Sequence, residues 1–156
     1  MHRTLRSTNV ATAALAAVIT LASRDAHANC EASDLPGLSA ASFNSTLKLS
    51  LRVAKGEACS QLLTAASDTV GHCGGPEIVN AYISRRPAHG VAGASGSLVE
   101  HGFSFSPSPG FVGSDHFAVE VELAPRIWLG GASCTSNVQT PHVKTTIEVD
   151  VVVVGK

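Results

Sequence analysis

The fold of this chain can be inferred from residues 103–117, which read Phe103-Ser-Phe-Ser-Pro-Ser-Pro-Gly-Phe-Val-Gly-Ser-Asp-His-Phe117. Phe and Ser alternate up to Pro107, Pro and Gly then interrupt the pattern, and a new alternation runs from Phe117 to Leu123. A period of two is typical of a half-buried strand, and Pro with Gly marks a tight turn. The stretch therefore predicts two strands joined by a corner, with Asp115 at the start of the second strand.

Other segments show the same period. Residues 47–53 alternate without a fault, and in residues 77–84 the pattern places Val79, Ala81 and Ile83 on one face. Residues 90–96 predict a weak strand, and residues 61–66 are either a helical turn or a strand. Residues 147–154 alternate first and then become wholly apolar, which predicts that their far end is covered on both faces. About seven short strands separated by turn signals predict an all-β sandwich.

The first 28 residues have the three parts of a secretory signal peptide. A basic start is followed by an uncharged, Ala-rich run over residues 10–22 and by the small-residue site Ala26-His27-Ala28. A short N-terminal core helix is the alternative interpretation. A lipid-modified Cys30 is disfavoured because no Leu stands three positions upstream. We expect a cleaved signal peptide over 1–28, an irregular lead-in over 29–44 and one β-sandwich domain over 45–156.

Cleavage after Ala28 removes three of the 11 basic and one of the 12 acidic residues, and leaves 128 residues with a net charge of −3. This length suits one domain with its own core. The weak acidic balance argues against a nucleic-acid partner, which requires a basic face. No later apolar run is long enough to span a membrane, which takes about 20 residues. We therefore expect an exported protein, periplasmic or extracellular.

Four cysteines remain in the mature chain, and an even number in an exported protein favours two disulfides. Three connectivities are open. The interpretation we favour pairs Cys59 with Cys73 in a local loop and Cys30 with Cys134, which would fix the N-terminus.

One set of positions resembles the bacterial immunoglobulin-like domain that occurs in tandem arrays of exported proteins. The resemblance covers about residues 77–123, whereas the cysteines and the 125–140 segment lie outside its pattern. It implies an immunoglobulin-like antiparallel β-sandwich of about seven strands. The matching residues are Pro87, His89, Gly90, Phe105, Pro107, Gly110, Phe111, Gly113, Asp115 and Phe117.

We expect the residues of this motif to have structural rather than catalytic roles. Phe105 and Phe117 start or occupy buried strands, and Phe111 is expected to close the end of the sandwich. Pro107 stiffens the corner, and Asp115 is placed to accept hydrogen bonds from loop amides.

No nucleophile elbow, phosphate loop or zinc-protease motif occurs, and no Cys or His pair has the short spacing of structural zinc sites. Glu120 and Glu122 fall on one face of a strand and are interpreted as solvated charges. We expect no cofactor and no metal. The alternative function is a small secreted metal-binding protein or hydrolase that uses clustered histidines, drawn from His72, His101 and His116.

The leading hypothesis is a non-catalytic module with an interaction or structural role at the cell envelope or outside the cell. Its partner is an unknown protein or envelope component. Arg85, Arg86 and Trp128 are the predicted binding surface, because Arg and Trp often anchor interfaces. A third hypothesis is a subunit that donates its last strand, residues 147–154, to an assembly.

Overall fold

The computed structural model describes residues 30–33, 37–66, 75–96, 100–128, 134–136 and 141–155. Within these residues the chain is nearly all β-structure, and helix is limited to a 3-10 turn at Ala40–Ser42. Seven of the ten strands have five residues or more, as the sequence predicts. The strands are β1 (Cys30–Ala32), β2 (Thr46–Ala54), β3 (Cys59–Leu63), β4 (Glu77–Arg85), β5 (Gly90–Gly96), β6 (His101–Pro107), β7 (Gly113–Ala124), β8 (Arg126–Trp128), β9 (Cys134–Ser136) and β10 (Val143–Val154).

Two sheets enclose a common core. The larger has the order β1-β2-β10-β7-β4, and the smaller has the order β3-β6-β5. The core is explained by alternation, because every second residue from Leu49 to Val53, from Phe117 to Leu123 and from Thr145 to Val153 points inward and is almost fully buried. Phe103 and Phe105 enter from the smaller sheet and contact Phe117 of the larger sheet, with ring centroids 5.8 and 5.7 Å apart. The expected all-β sandwich is therefore present.

One strand pair departs from the expected antiparallel arrangement. β2 and β10 run parallel, from Thr46 opposite Thr146 to Ala54 opposite Val154. On its other side β10 pairs antiparallel with β7. β10 is thus an interior strand, and the hypothesis that it is donated to an assembly as an unpaired edge is wrong.

The end of β10 also differs from the expectation that both of its faces are covered. Its alternation continues to the end of the strand, with Val151 and Val153 buried and Val152 46 % exposed. The last valines therefore follow the ordinary pleat of a sheet with one face in solvent.

The pairing of β4 with β7 contains an irregularity that the sequence pattern does not reveal. The register with β7 shifts between Ile78 and Asn80, so the strand carries a bulge there. A bulge reverses the faces of the residues before it. As a result Ile78 packs against the core beside Ala81 and Ile83, whereas Val79, which the sequence pattern groups with Ala81 and Ile83 on one face, is 38 % exposed.

Two segments without a predicted strand contribute to the structure. In the lead-in, β1 pairs with β2, and Leu38 is fully buried and bridges to Ala65. The polar connection over 125–140 contains β8 and β9, which pair as a two-stranded sheet.

The disulfide shown by the structure joins Cys30 to Cys59, so both favoured pairings, Cys59–Cys73 and Cys30–Cys134, are wrong. The register explains this pairing. Cys30 lies opposite Val53, and the chain then crosses from β2 to the smaller sheet, which brings Cys59 within 5.5 Å of Cys30 between Cα atoms. The bond thereby links the two sheets along one side of the sandwich. Cys73 lies outside the described residues, as does the side chain of Cys134.

The described residues contain no helix that is both long enough and apolar enough to cross a membrane.

The Cys30–Cys59 link is testable by proteolysis and mass spectrometry of the unreduced mature protein. We expect a peptide that joins Cys30 to Cys59, and two disulfides in this chain would then require Cys73 to pair with Cys134. The double variant Cys30→Ser/Cys59→Ser should lower the free energy of unfolding by about 3–4 kcal/mol, because 29 residues separate the two cysteines. A linked Cys59–Cys73 peptide would contradict the structure.

Candidate functional site

The carboxylate of Asp115 lies in β7 and holds the connection between β4 and β5. Its two oxygens accept hydrogen bonds from the backbone amides of Ala88 at 2.9 Å, His89 at 2.7 Å and His116 at 2.8 Å. The sequence predicts amide donors for Asp115, and the structure identifies two of them as the Pro87–Gly90 turn. This turn carries the chain from the larger sheet to the smaller one.

The rest of the motif packs around this crossing. The ring of Phe111 stacks on His89 at 4.4 Å, and the amide of Ser108 donates to the carbonyl of His89 at 2.9 Å. Gly90 is required by a close approach, because a Cβ there would lie 2.6 Å from the Phe105 ring. Gly110 has a φ of +84°, a left-handed conformation that glycine adopts without strain. These contacts fix where β5 begins.

The electrostatics of Asp115 follow from its donors. Partial burial acts to raise the pKa of Asp115, but the three amide hydrogen bonds outweigh it, so the pKa lies below its usual value. A carboxyl with a lowered folded pKa stabilises the fold above its unfolded pKa of about 3.9. That stability is lost as the pH falls through the lower folded value.

The outer face of the larger sheet is charged. His116 places Nδ1 2.7 Å from Asp150 and Nε2 2.6 Å from Glu148, and Arg85 also bonds to Glu148. We call the residues Arg85, His116, Glu148 and Asp150 the His116 cluster.

A second group lies further along the same face. Lys144 and Tyr82 both bond to the carboxylate of Glu120, and Lys144 lies 4.0 Å from Glu122. The hydrogen bond to Glu120, together with the charges of Glu120 and Glu122, raises the pKa of Lys144 despite some desolvation. Glu120 and Glu122 thus share one strand face, as predicted, and both lie within ion-pair distance of Lys144.

The outer face of the smaller sheet has the opposite character, since the described residues of its three strands place no charged side chain there. Its exposed apolar side chains are Leu62 at 59 % and Val91 at 73 % exposure. We call it the uncharged face, and strand pairing and burial place eight residues on it: Ser60, Leu62, Val91, Gly93, Ser95, Gly102, Ser104 and Ser106.

A groove borders the uncharged face between the edge strands β4 and β5. It consists of two adjoining clefts of about 560 and 600 Å³, and Ala94 lines both of them. Glu77 and Gly96 line one end, and Arg86 and Gly90 line the other. The walls between these ends are formed mainly by small and apolar side chains.

The structure separates the residues predicted as a binding surface. Arg85 takes part in the His116 cluster on the charged face, whereas Arg86 lines the groove. Trp128 belongs to β8, and its side chain lies outside the described residues.

The histidines are also dispersed. His89 stacks on Phe111, His101 lines the groove and His116 lies on the charged face, while His72 is outside the described residues. In the described part of the chain, no three or more Cys, His, Asp or Glu side chains are arranged to hold a metal ion.

The uncharged face was not predicted, although the sequence contains a signal for it. Between Arg86 and Asp115 the only formally charged residue is Glu100, and residues 58–67 have none. A long stretch without charge in strands that alternate Ser or Gly with buried residues indicates a sheet face of small neutral groups.

A comparison of the chain with protein families, with curated proteins and with solved structures found no match in any of the three.

The role of Asp115 predicts a specific pH effect on stability. Asp115→Asn should lower the free energy of unfolding at pH 7 by about 1.5–3 kcal/mol, because charge-assisted hydrogen bonds are lost. The difference from the natural protein should begin to shrink as the pH falls below the unfolded pKa of about 3.9, and it should be lost once the pH has fallen through the lower folded pKa, where the native carboxyl is also neutral. Chemical denaturation at several pH values measures both effects.

Asp150→Asn serves as the control for an exposed ion pair: the Asp150 side chain is 63 % exposed and bonds to His116, so its loss should cost less than about 1 kcal/mol. If Asp115→Asn and the natural protein differ by the same amount at pH 7 and at pH 2.5, the carboxylate does not play this role.

Proposed function

We propose that this protein is an exported, non-catalytic module of immunoglobulin-like topology, which binds a protein of the envelope or cell exterior through the uncharged face and the adjoining β5 edge. The observation that carries the proposal is the contrast between the two outer sheet faces. One face is charged and carries the ion pairs of the His116 cluster and of Lys144, whereas the other offers neutral, small side chains with two exposed apolar residues.

The strand order supports the immunoglobulin-like topology. In such domains the third, sixth and seventh strands form one sheet, and the second, fourth and fifth strands lie in the other. Counting the seven longer strands here, β4, β7 and β10 share the larger sheet, and β3, β5 and β6 form the smaller one. The first long strand, β2, lies beside β10 rather than beside β3.

Export is supported by two independent features. The leader has the order of parts that a signal peptide requires. The Cys30–Cys59 bond begins two residues after the predicted cleavage site, and disulfides persist in oxidising compartments outside the cytosol.

The uncharged face suits binding for an energetic reason. Neutral small groups lose little hydration when they are covered, whereas unpaired charges lose much more. Interface cores are correspondingly depleted in charged residues. Leu62 and Val91 supply apolar area on this face, and the Arg86 side of the groove provides a polar margin.

Site-specific photo-crosslinking in the native host tests this proposal. A photoreactive amino acid at Leu62, on the uncharged face, should give a discrete crosslinked product in the envelope fraction. The same amino acid at Arg52, which is exposed on the larger sheet, is the matched control and should give little product. Equal amounts of product from Leu62 and Arg52 would overturn the assignment of the face. So would the absence of product both from Leu62 and from a second variant with the photoreactive amino acid at Val91.

A further inference from the structure

We propose that a second copy of this chain pairs with β5 along the edge opposite β6, so that two three-stranded sheets become one six-stranded sheet. The inference rests on the proposed interaction role and names its partner. It is carried by the sequence of β5, the lack of protection along its edge and the charges at the two ends of the groove.

Among the described strands, β5 is the least protected edge. Natural sheets block their edges with short strands, bulges, prolines or charges. β1 has three residues, β4 is irregular at two places, and β3 begins at the disulfide-bonded Cys59. β5 has seven residues in unbroken register with β6, and it contains no proline and no charge.

The sequence of β5 is nearly symmetric about its centre. Gly90-Val-Ala-Gly-Ala-Ser-Gly96 reads almost the same in both directions around Gly93. In an antiparallel pair centred on Gly93, Gly90 faces the partner's Gly96, Val91 faces the partner's Ser95, and Ala92 faces the partner's Ala94. Two-fold pairs bring the same patch of each subunit together, which requires such self-complementarity.

In this register, side chains that point to one face of the sheet pair only with side chains that point to the same face. Paired positions are either both odd-numbered or both even-numbered, so residues of the uncharged face meet residues of that same face in the partner. Ala92 and Ala94, which pack against the core, remain on the inner side. The small side chains let the two strands approach without a steric conflict.

The charges at the ends of the groove complement each other under the same symmetry. Arg86 lies at the end where β5 begins, and Glu77 lies at the end where β5 finishes. Antiparallel pairing brings the beginning of one β5 next to the end of the other. The Arg86 end of one groove therefore lies beside the Glu77 end of the other, so that charges of opposite sign face each other at both ends of the paired strands.

Sedimentation equilibrium of the mature chain, residues 29–156, tests the pairing. The natural protein should show a concentration-dependent equilibrium between monomer and dimer. Val91→Lys/Ser95→Lys places like charges directly opposite each other at two positions in the dimer. We expect this variant to raise the dissociation constant of the dimer about tenfold or more. Both positions are exposed in the monomer, so folding should be retained.

Val91→Lys/Ser95→Glu is the matched control. It changes the same two positions but places opposite charges across the pair, so its dimer should be at least as strong as the natural one. Thermal melting of both variants checks that each is folded. A natural protein that stays monomeric at all concentrations, or two variants with equal dissociation constants, would overturn the inference.

The sedimentation and crosslinking experiments together distinguish a failure of the dimer from a failure of the proposed function. If the natural protein is monomeric but Leu62 still crosslinks to a different protein, the uncharged face binds a partner other than this chain. If Leu62 gives no product and the protein is monomeric, both proposals fail.

Discussion

The Asp115 carboxylate holds the backbone where the chain crosses between the two sheets, and the placement of β5 over the core follows from it. Its bonds to the amides of Ala88 and His89 join β7 of the larger sheet to the turn that starts β5. Without this link the turn would have to find other partners for two amides, and the position of β5 over the core would lose its anchor. The Asp115 carboxylate, together with the Phe111–His89 stack and the Ser108 amide, therefore holds the geometry of the crossing. The disulfide between Cys30 and Cys59 links the sheets on the opposite side.

This arrangement explains why the two outer faces differ. The larger sheet pairs its charges across three adjacent strands, as in the His116 cluster, because β4, β7 and β10 bring acidic and basic residues into register. The smaller sheet has no charge to pair, and its outer groups are mainly Ser and Gly. Its free edge lies beside an open groove, while the other side of the sandwich is closed by the disulfide. Fold and charge distribution thus favour the same region for binding.

Much of the fold follows from local pattern, because alternation is a property of a strand by itself. The alternation of β2 and β7 and the donors of Asp115 could be argued from neighbouring residues alone. What could not be predicted depends on contacts between distant segments. The bulge that exposes Val79, the parallel pairing of β2 with β10, and the partner of Cys59 all arise from strand register, which the sequence pattern does not encode locally. The uncharged face had a readable signal, but its significance appears only when three strands are placed side by side.

Residue-resolved amide hydrogen exchange on the mature protein, at low and at high concentration, reports on both the crossing and the β5 edge. We expect the amides of Ala88 and His89 to be protected at every concentration, because Asp115 accepts hydrogen bonds from both. We also expect the β5 amides that face away from β6 to gain protection only at high concentration. Rapid exchange of Ala88 and His89 at all concentrations would show that Asp115 does not hold the crossing.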